Sequence, residues 1–328
     1  MILVKTPLRL SFFGGGSDLA AYYNQRPGFC LSTTIDQYMY TAVCETSYPG
    51  VKVVYSEIEQ VKTIDDLKHD RVRETLRKMD ITSNIEIGSY AHIPTKGTGL
   101  GSSSTYTVGL INALSRLKDI PCTRYDLAEA ACDIEINKCN EPIGKQDQYA
   151  AAFGGFNAFT FTPDHVDVNS VTVSSDVIHQ LDSNLLLFYT GIKRNASDIL
   201  SQQSKNIVDD SKVTQSLGTM IDMGHDALKS LYKGNVDYFG YLLGMSWQLK
   251  KSLSSAISTS EIDEWYAEAL TLGALGGKIA GAGGGGFLLL YVPKSKQYKV
   301  TQRMEQFGLK RFDFRFGDVG SEVVYHNE

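Results

Sequence analysis

Gly97, Gly99 and Gly101 alternate with Thr98 and Leu100 and run directly into Ser102-Ser103-Ser104. These serines open a stretch in which Val108, Leu110, Ile111, Leu114 and Leu117 recur at helical spacing. Glycines at alternate positions let backbone N–H groups approach an anion without Cβ obstruction. A helix that begins on serines adds unpaired N–H groups and the positive end of its dipole. One such end contributes about 0.3–1 kcal/mol per exposed charge, so a triphosphate needs a metal or further cations. In isolation the segment Pro94 to Ser104 is as compatible with a flexible helix cap, and its junction with an apolar helix points to phosphate binding. It is not a Walker A loop, because no lysine follows Gly101. Nor is it a dinucleotide fingerprint, because G-x-G-x-G stands where G-x-G-x-x-G is required.

Three other segments carry reactive residue types. Asp147 lies in Gly144-Lys145-Gln146-Asp147-Gln148-Tyr149, and Glu135 precedes it by twelve positions; either acid alone reads as a helix cap. Arg9 sits among apolar strand residues just before Gly14-Gly15-Gly16-Ser17-Asp18, and an inward-facing arginine is rare unless paired. Lys278-Ile279-Ala280 leads into five glycines in six positions, Gly281 to Gly286, which make a poor strand. Close backbone contact with a ligand or another loop accounts better for that run.

The elements that must position these residues follow from patterning. Ile2 to Phe13, Asp36 to Glu45, Val51 to Ser56 and Asn84 to Tyr90 read as strands, and Asp65 to Met79 as a helix. A capping box at Thr123 and Asp126 opens a helix that runs to about Asn137, and Gln146 to Phe153 forms a short helix closed by Gly154-Gly155. Strand Leu185 to Tyr189 enters the turn Thr190-Gly191. Helices occupy Ala196 to Leu253, and a second capping box at Ser260 and Asp263 opens another. The expected class is α+β, a strand-rich half over residues 1–165 and a helix-rich half over 166–328 that ends in a small antiparallel sheet.

Composition narrows the function classes. The chain has 328 residues, 42% hydrophobic and 21% charged, with a net charge of -5. An acidic balance disfavours a nucleic-acid partner. Five cysteines without a CxxC pair and six histidines without HxxxH spacing disfavour a disulfide framework, a zinc ribbon and a histidine metal site. No apolar run reaches the roughly 18 residues that span a bilayer. The N-terminus reads straight into a strand, so a cytoplasmic protein with no membrane partner is expected.

In this order, the Arg9 segment, the Gly97–Ser104 loop, the Asp147 segment and the Gly281–Gly286 run resemble the superfamily of galactokinase, homoserine kinase, mevalonate kinase and phosphomevalonate kinase, the GHMP kinases. Leu8 after Pro7, with the triple glycine before Ser17-Asp18, is similar to the sugar-kinase branch that contains heptose 7-phosphate kinases. The resemblance implies an ATP-dependent phosphotransferase acting on the anomeric C1 hydroxyl of D-glycero-D-manno-heptose 7-phosphate, in nucleotide-activated heptose biosynthesis. It implies that Gly97, Gly99, Leu100, Gly101, Ser102, Ser103 and Ser104 wrap the ATP phosphates, that Ser103 and Glu135 hold Mg²⁺, and that Asp147 and Arg9 act on the acceptor oxygen. Gly15, Gly16, Ser17, Asp18, Gly283 and Gly284 are expected at the sugar. The spacing from Glu135 to Asp147 is one residue longer than in the mevalonate kinases.

A second phosphate on the substrate needs its own cations, and Lys193-Arg194 is the best candidate; a solvated basic turn is an equal reading. Other readings are a kinase for fucose or galactose, a catalytically silent sugar and ATP sensor, and the decarboxylase branch of the superfamily. Beyond the small-molecule sugar phosphate, the expected partner is a second copy in a homodimer.

Overall fold

The computed structural model describes residues 1–91, 93 and 97–326. Pro94, Thr95 and Lys96, at the head of the glycine–serine segment, lie outside the described residues. Seven strands open the chain: β1 (Ile2–Phe13), β2 (Gly28–Glu45), β3 (Val51–Val54), β4 (Ile58–Val61), β5 (Ile85–Ala91), β6 (Phe156–Phe161) and β7 (Val166–Ser170). Among them run α1 (Ala20–Tyr23), α2 (Asp70–Lys78), α3 (Ser102–Leu117), α4 (Arg124–Cys132) and α5 (Gln146–Phe153). The rest holds α6 (Ser175–Asn184), β8 (Leu185–Tyr189), α7 (Ala196–Asp209), α8 (Ser211–Tyr232), α9 (Val236–Ser252) and α10 (Ser260–Thr271). It closes with β9 (Gly276–Ile279), β10 (Phe287–Tyr291), α11 (Gln297–Gln306), β11 (Lys310–Phe312), β12 (Phe316–Gly317) and β13 (Glu322–His326).

Two sheets result. The larger has the order β13-β1-β2-β5-β3-β4, with β6 and β12 also on the long β2 and β7 on β6. The smaller is antiparallel, β11-β8-β10-β9. The expected division at residue 165 falls between β6 and β7, which pair across it. The C-terminal strands β12 and β13 return to β2 and β1.

Residues 6–13 of β1 are buried at every position, as befits a strand covered on both faces. Helix α3 packs on β1 and β2; from the C-terminal half α8 packs on both strands and α9 on β1. Phe239 of α9 meets Phe12 and Phe13 edge to face, with centroids 5.3 and 5.2 Å away. Such pairs add about 0.5–1.5 kcal/mol beyond the area they bury. The floor of the cleft described below is therefore anchored in the core.

The Thr123–Asp126 capping box forms with both reciprocal bonds. The second box does not. Thr259, one residue earlier, caps α10 by accepting from Ile262 N–H, while the Asp263 carboxylate turns to Lys251 and Ser258. Either hydroxyl suits an N-cap; the lysine on α9 decides which one serves.

Candidate active site

Helix α3 begins on Gly101 (φ 76°), and Gly97 and Gly99 (φ 74° and 80°) share the left-handed backbone that glycine adopts without strain. No side chain caps this helix through Gly101. The loop is fixed to β1 by Arg9 N–H, which donates to the Leu100 carbonyl at 3.0 Å. The Thr105 hydroxyl donates to the Pro7 carbonyl at 3.1 Å. Pairing between β1 and β2 changes register between Pro7 and Arg9, a bulge of the kind that re-aims a side chain. Arg9 is only 4% exposed and points beneath the loop.

There it meets Asp147. Arg9 Nε and Nη2 donate to the two carboxylate oxygens at 2.7 Å each, and Nη1 donates to the Gly99 carbonyl at 2.6 Å. Asp147 sits in the first turn of α5, where the helix dipole favours a negative charge. Its side chain stays 27% exposed to a cleft of about 1100 Å³. The fork geometry fixes both partners and leaves each carboxylate oxygen a further lone pair.

The cleft is lined by Tyr55, His69, Tyr90 and Tyr106, with the His69 ring against both Tyr55 and Tyr106. Gly15, Gly16 and Asp18, the residues expected at a sugar, line it as well. Asp18 accepts from Gly16 N–H at 2.8 Å, and burial raises its pKa. Ser17, by contrast, is fully buried with its hydroxyl between the Gly14 and Phe29 carbonyls, so it shapes the turn and faces no cleft. Gly283 and Gly284 do not line the cleft either; they press on Ile257, Ala256 and Ile199, and the cleft wall is formed by Gly281 and Ala282. Leu100 points into the core and contributes only backbone to the loop.

Glu135 lies on a π-helical turn, Asp133–Lys138, that prolongs α4. Its carboxylate is completely buried. It accepts from Arg71 Nε at 2.9 Å, Thr107 at 3.1 Å, Gln148 at 2.6 Å and Ser103 at 3.4 Å. Arg71 also donates to Glu141 at 2.8 Å, and Glu141 accepts from Ser197 at the start of α7 at 2.9 Å. A polar chain thus ties the head of α3 to the C-terminal half.

The basic turn between β8 and α7 splits. Lys193 is exposed on the rim. Arg194 turns inward, with its backbone against Gly97 and its Nη2 donating to the Ala280 carbonyl at 3.3 Å.

Two cleft residues escape local motif reading. Lys250 is buried and donates to the Gly281 carbonyl at 2.7 Å. Gln203 Nε2 is buried without a partner among the described residues and fills the space a Cβ on Gly16 would need. A signal for Lys250 was present: Val236, Phe239, Leu243, Trp247 and Lys250 form the buried stripe of α9, and a lysine on an apolar stripe requires an inward role.

Residues 65–155 match the model of the GHMP kinases N terminal domain, and residues 227–310 that of the GHMP kinases C terminal domain. The chain is 32% identical to the D-glycero-alpha-D-manno-heptose 7-phosphate kinase of Campylobacter jejuni, over 95% of this chain and 96% of that one. It is 26% identical to the galactokinase of Pyrococcus furiosus, over 96% and 95% of the two chains. Among solved structures it is similar to a D-glycero-D-manno-heptose 1-phosphate kinase from Bacteroides thetaiotaomicron, with a TM-score of 0.79, 27% identity and full coverage of both chains. With matched domains in both halves and a relative alike over nearly its whole length, the chain belongs to the GHMP kinases.

Proposed function

We propose that the protein transfers the γ-phosphoryl group of ATP to the anomeric C1 hydroxyl of D-glycero-D-manno-heptose 7-phosphate, giving the 1,7-bisphosphate. The observation that carries this reading is the Arg9–Asp147 fork under the glycine–serine loop, open to a cleft large enough for a nucleotide and a sugar. The aromatic lining suits adenine, the Gly97–Ser104 backbone suits the phosphates, and Gly15, Gly16, Asp18 and Gln203 suit sugar hydroxyls.

Phosphoryl transfer passes through a loose transition state in which positioning and charge neutralisation outweigh proton removal. Asp147 accepts the hydroxyl hydrogen and aims the oxygen, and Arg9 holds the carboxylate in place through both of its oxygens. The anomeric hydroxyl is more acidic than an ordinary alcohol, which lowers the demand on this base. The Ser103 hydroxyl and the Glu135 carboxylate at the head of α3 are oxygen donors of the kind Mg²⁺ takes, and an ion there would replace hydrogen bonds that the buried carboxylate accepts from Arg71, Thr107 and Gln148. Arg71 already places a positive charge on the same carboxylate. These two residues would hold the ion, which would supply charge neutralisation at the phosphates.

The heptose kinases similar to this chain differ in name over which phosphate their substrate already carries, at C7 or at C1. A single experiment decides for this protein. ADP release is measured with the 7-phosphate, the 1-phosphate and the free heptose, and phosphorus NMR locates the new phosphate. The expected result is turnover with the 7-phosphate and a new anomeric signal. Turnover confined to free sugars, or a new phosphate elsewhere, rejects the reading.

A further inference from the structure

Arg194 and Lys250 reach one gap from different elements and share an unusual environment. Arg194 Nη2 bonds the Ala280 carbonyl and Lys250 Nζ the Gly281 carbonyl, so two cations are pinned to consecutive carbonyls of the glycine run. That run presses on the phosphate loop: a Cβ on Gly281 would stand 2.7 Å from Gly99 Cα, and one on Gly99 would lie 3.3 Å from Arg194 Nη2. Lys250 Nζ lies 3.5 Å from the position of a Cβ on Gly15, across the gap.

Neither cation is paired with a carboxylate among the described residues. Arg194 Nε and Nη1 are buried without any acceptor there. Buried guanidinium donors are ordinarily satisfied, so two orphans on one side chain mark a missing acceptor. Burial lowers the pKa of Arg194 to about 10, and Arg9 pushes in the same direction. Burial lowers that of Lys250 to about 8, opposed by Asp18 and reinforced by Arg194 and Arg9. Three cations crowd a desolvated space in which Asp147 is already committed to Arg9. The gap is built for an anion with several oxygens.

We propose that Arg194 and Lys250 clamp the phosphoryl group in transit, from the side opposite Arg9 and Asp147. This rests on the kinase reading above and moves Arg194 away from the substrate's distal phosphate, leaving exposed Lys193 for that task. In the step, the acceptor oxygen bonds to the γ-phosphorus while the bond from that phosphorus to the β–γ bridging oxygen breaks. The hydroxyl proton passes to Asp147, and ADP departs with the bridging electrons. Arg194 and Lys250 donate to non-bridging oxygens throughout.

The test uses the full chain with Arg194→Ala, Arg194→Lys and Lys250→Met. Removal of one donor aimed at transition-state charge costs about 10²–10³ in kcat. Arg194→Ala is expected to lose that factor while KM for ATP and for the phosphosugar stay within about 3-fold, the mark of an interaction made only in the transition state. Calorimetry with ADP plus fluoroaluminate and sugar should show the same loss, with ADP alone bound as by the wild type. Arg194→Lys should recover part of it and guards against a folding defect in the alanine variant, which thermal denaturation reports. A rise of KM for the phosphosugar alone with kcat retained, or a kcat within about 3-fold of wild type in both Arg194→Ala and Lys250→Met, overturns the proposal. Failure of the wild type to turn over any phosphosugar would strike the kinase reading instead, and the fluoroaluminate measurement separates the two.

Discussion

Replacing Asp147 by asparagine removes one carboxylate oxygen and leaves the volume unchanged. Arg9 Nε and Nη2 each hold one oxygen at 2.7 Å, so one of these donors would then face an amide N–H instead of an acceptor. A charge-assisted hydrogen bond is worth about 1.5–3 kcal/mol, and a buried cation that loses its partner adds to that cost. Arg9 is 4% exposed but keeps its bond to Gly99, and Asp147 is 27% exposed, so solvent offsets part of the loss. The expected destabilisation is about 2 kcal/mol, a shift of about 3 °C in Tm for a chain of this size.

The effect on rate is larger. Loss of the base costs about 10²–10⁴, and an ångström of misplacement adds about 10². Initial rates of ADP formation should fall by at least about 10³, with KM for ATP changed less than about 3-fold. The double variant Arg9→Met, Asp147→Asn separates the two consequences. Removing both partners leaves no unpaired charge, so Tm should recover relative to Asp147→Asn while activity stays lost. Turnover by Asp147→Asn within a few-fold of wild type would refute the assignment. So would a double variant less stable than the wild type by the sum of the losses in Asp147→Asn and Arg9→Met measured singly, since the pair would then not be coupled.

Gly281→Ala should weaken nucleotide binding if the Gly97–Ser104 segment holds the phosphates as proposed, because the φ of 69° at Gly281 disfavours a side chain and the new Cβ would stand 2.7 Å from Gly99 Cα. Fluorescent-nucleotide titration checks this, and unchanged affinity would show the contact to be soft. Lys250 gives a pH signature: with its pKa lowered to about 8, kcat/KM should fall above that pH, and Lys250→Arg should move the fall upward because arginine stays charged. Stability runs the other way. The unfolded lysine titrates at the ordinary 10.5, so the unfolded chain binds the extra proton between about 8 and 10.5 and Lys250 favours the fold increasingly as pH rises through that window. The full effect is about 3 kcal/mol, and chemical denaturation across the window should show it shrink in Lys250→Met.

Much of the site was legible where its cause is local. Left-handed backbone at Gly97, Gly99 and Gly101 is a property of the residues themselves, and so are the bounds of α5 at Gln146 and Phe153 and the Thr123–Asp126 box. Arg9 in an apolar strand announced a buried partner. The sequence alone could not supply that partner's position: Arg9 and Asp147 lie 138 residues apart, and only the packing of α5 under α3 brings the fork together. Lys193 and Arg194, neighbours of one type, receive opposite fates because the turn between β8 and α7 faces solvent on one side and the glycine run on the other. Thr259 rather than Ser260 caps α10 because a lysine on α9 claims Asp263. The ends of β12 and β13 rejoin the first sheet because β1 and β2 leave open edges there. Local preferences act through bonds to the next few residues and are written in order along the chain. Charge compensation and burial act through space, between residues that no spacing rule connects, and only the folded chain decides them.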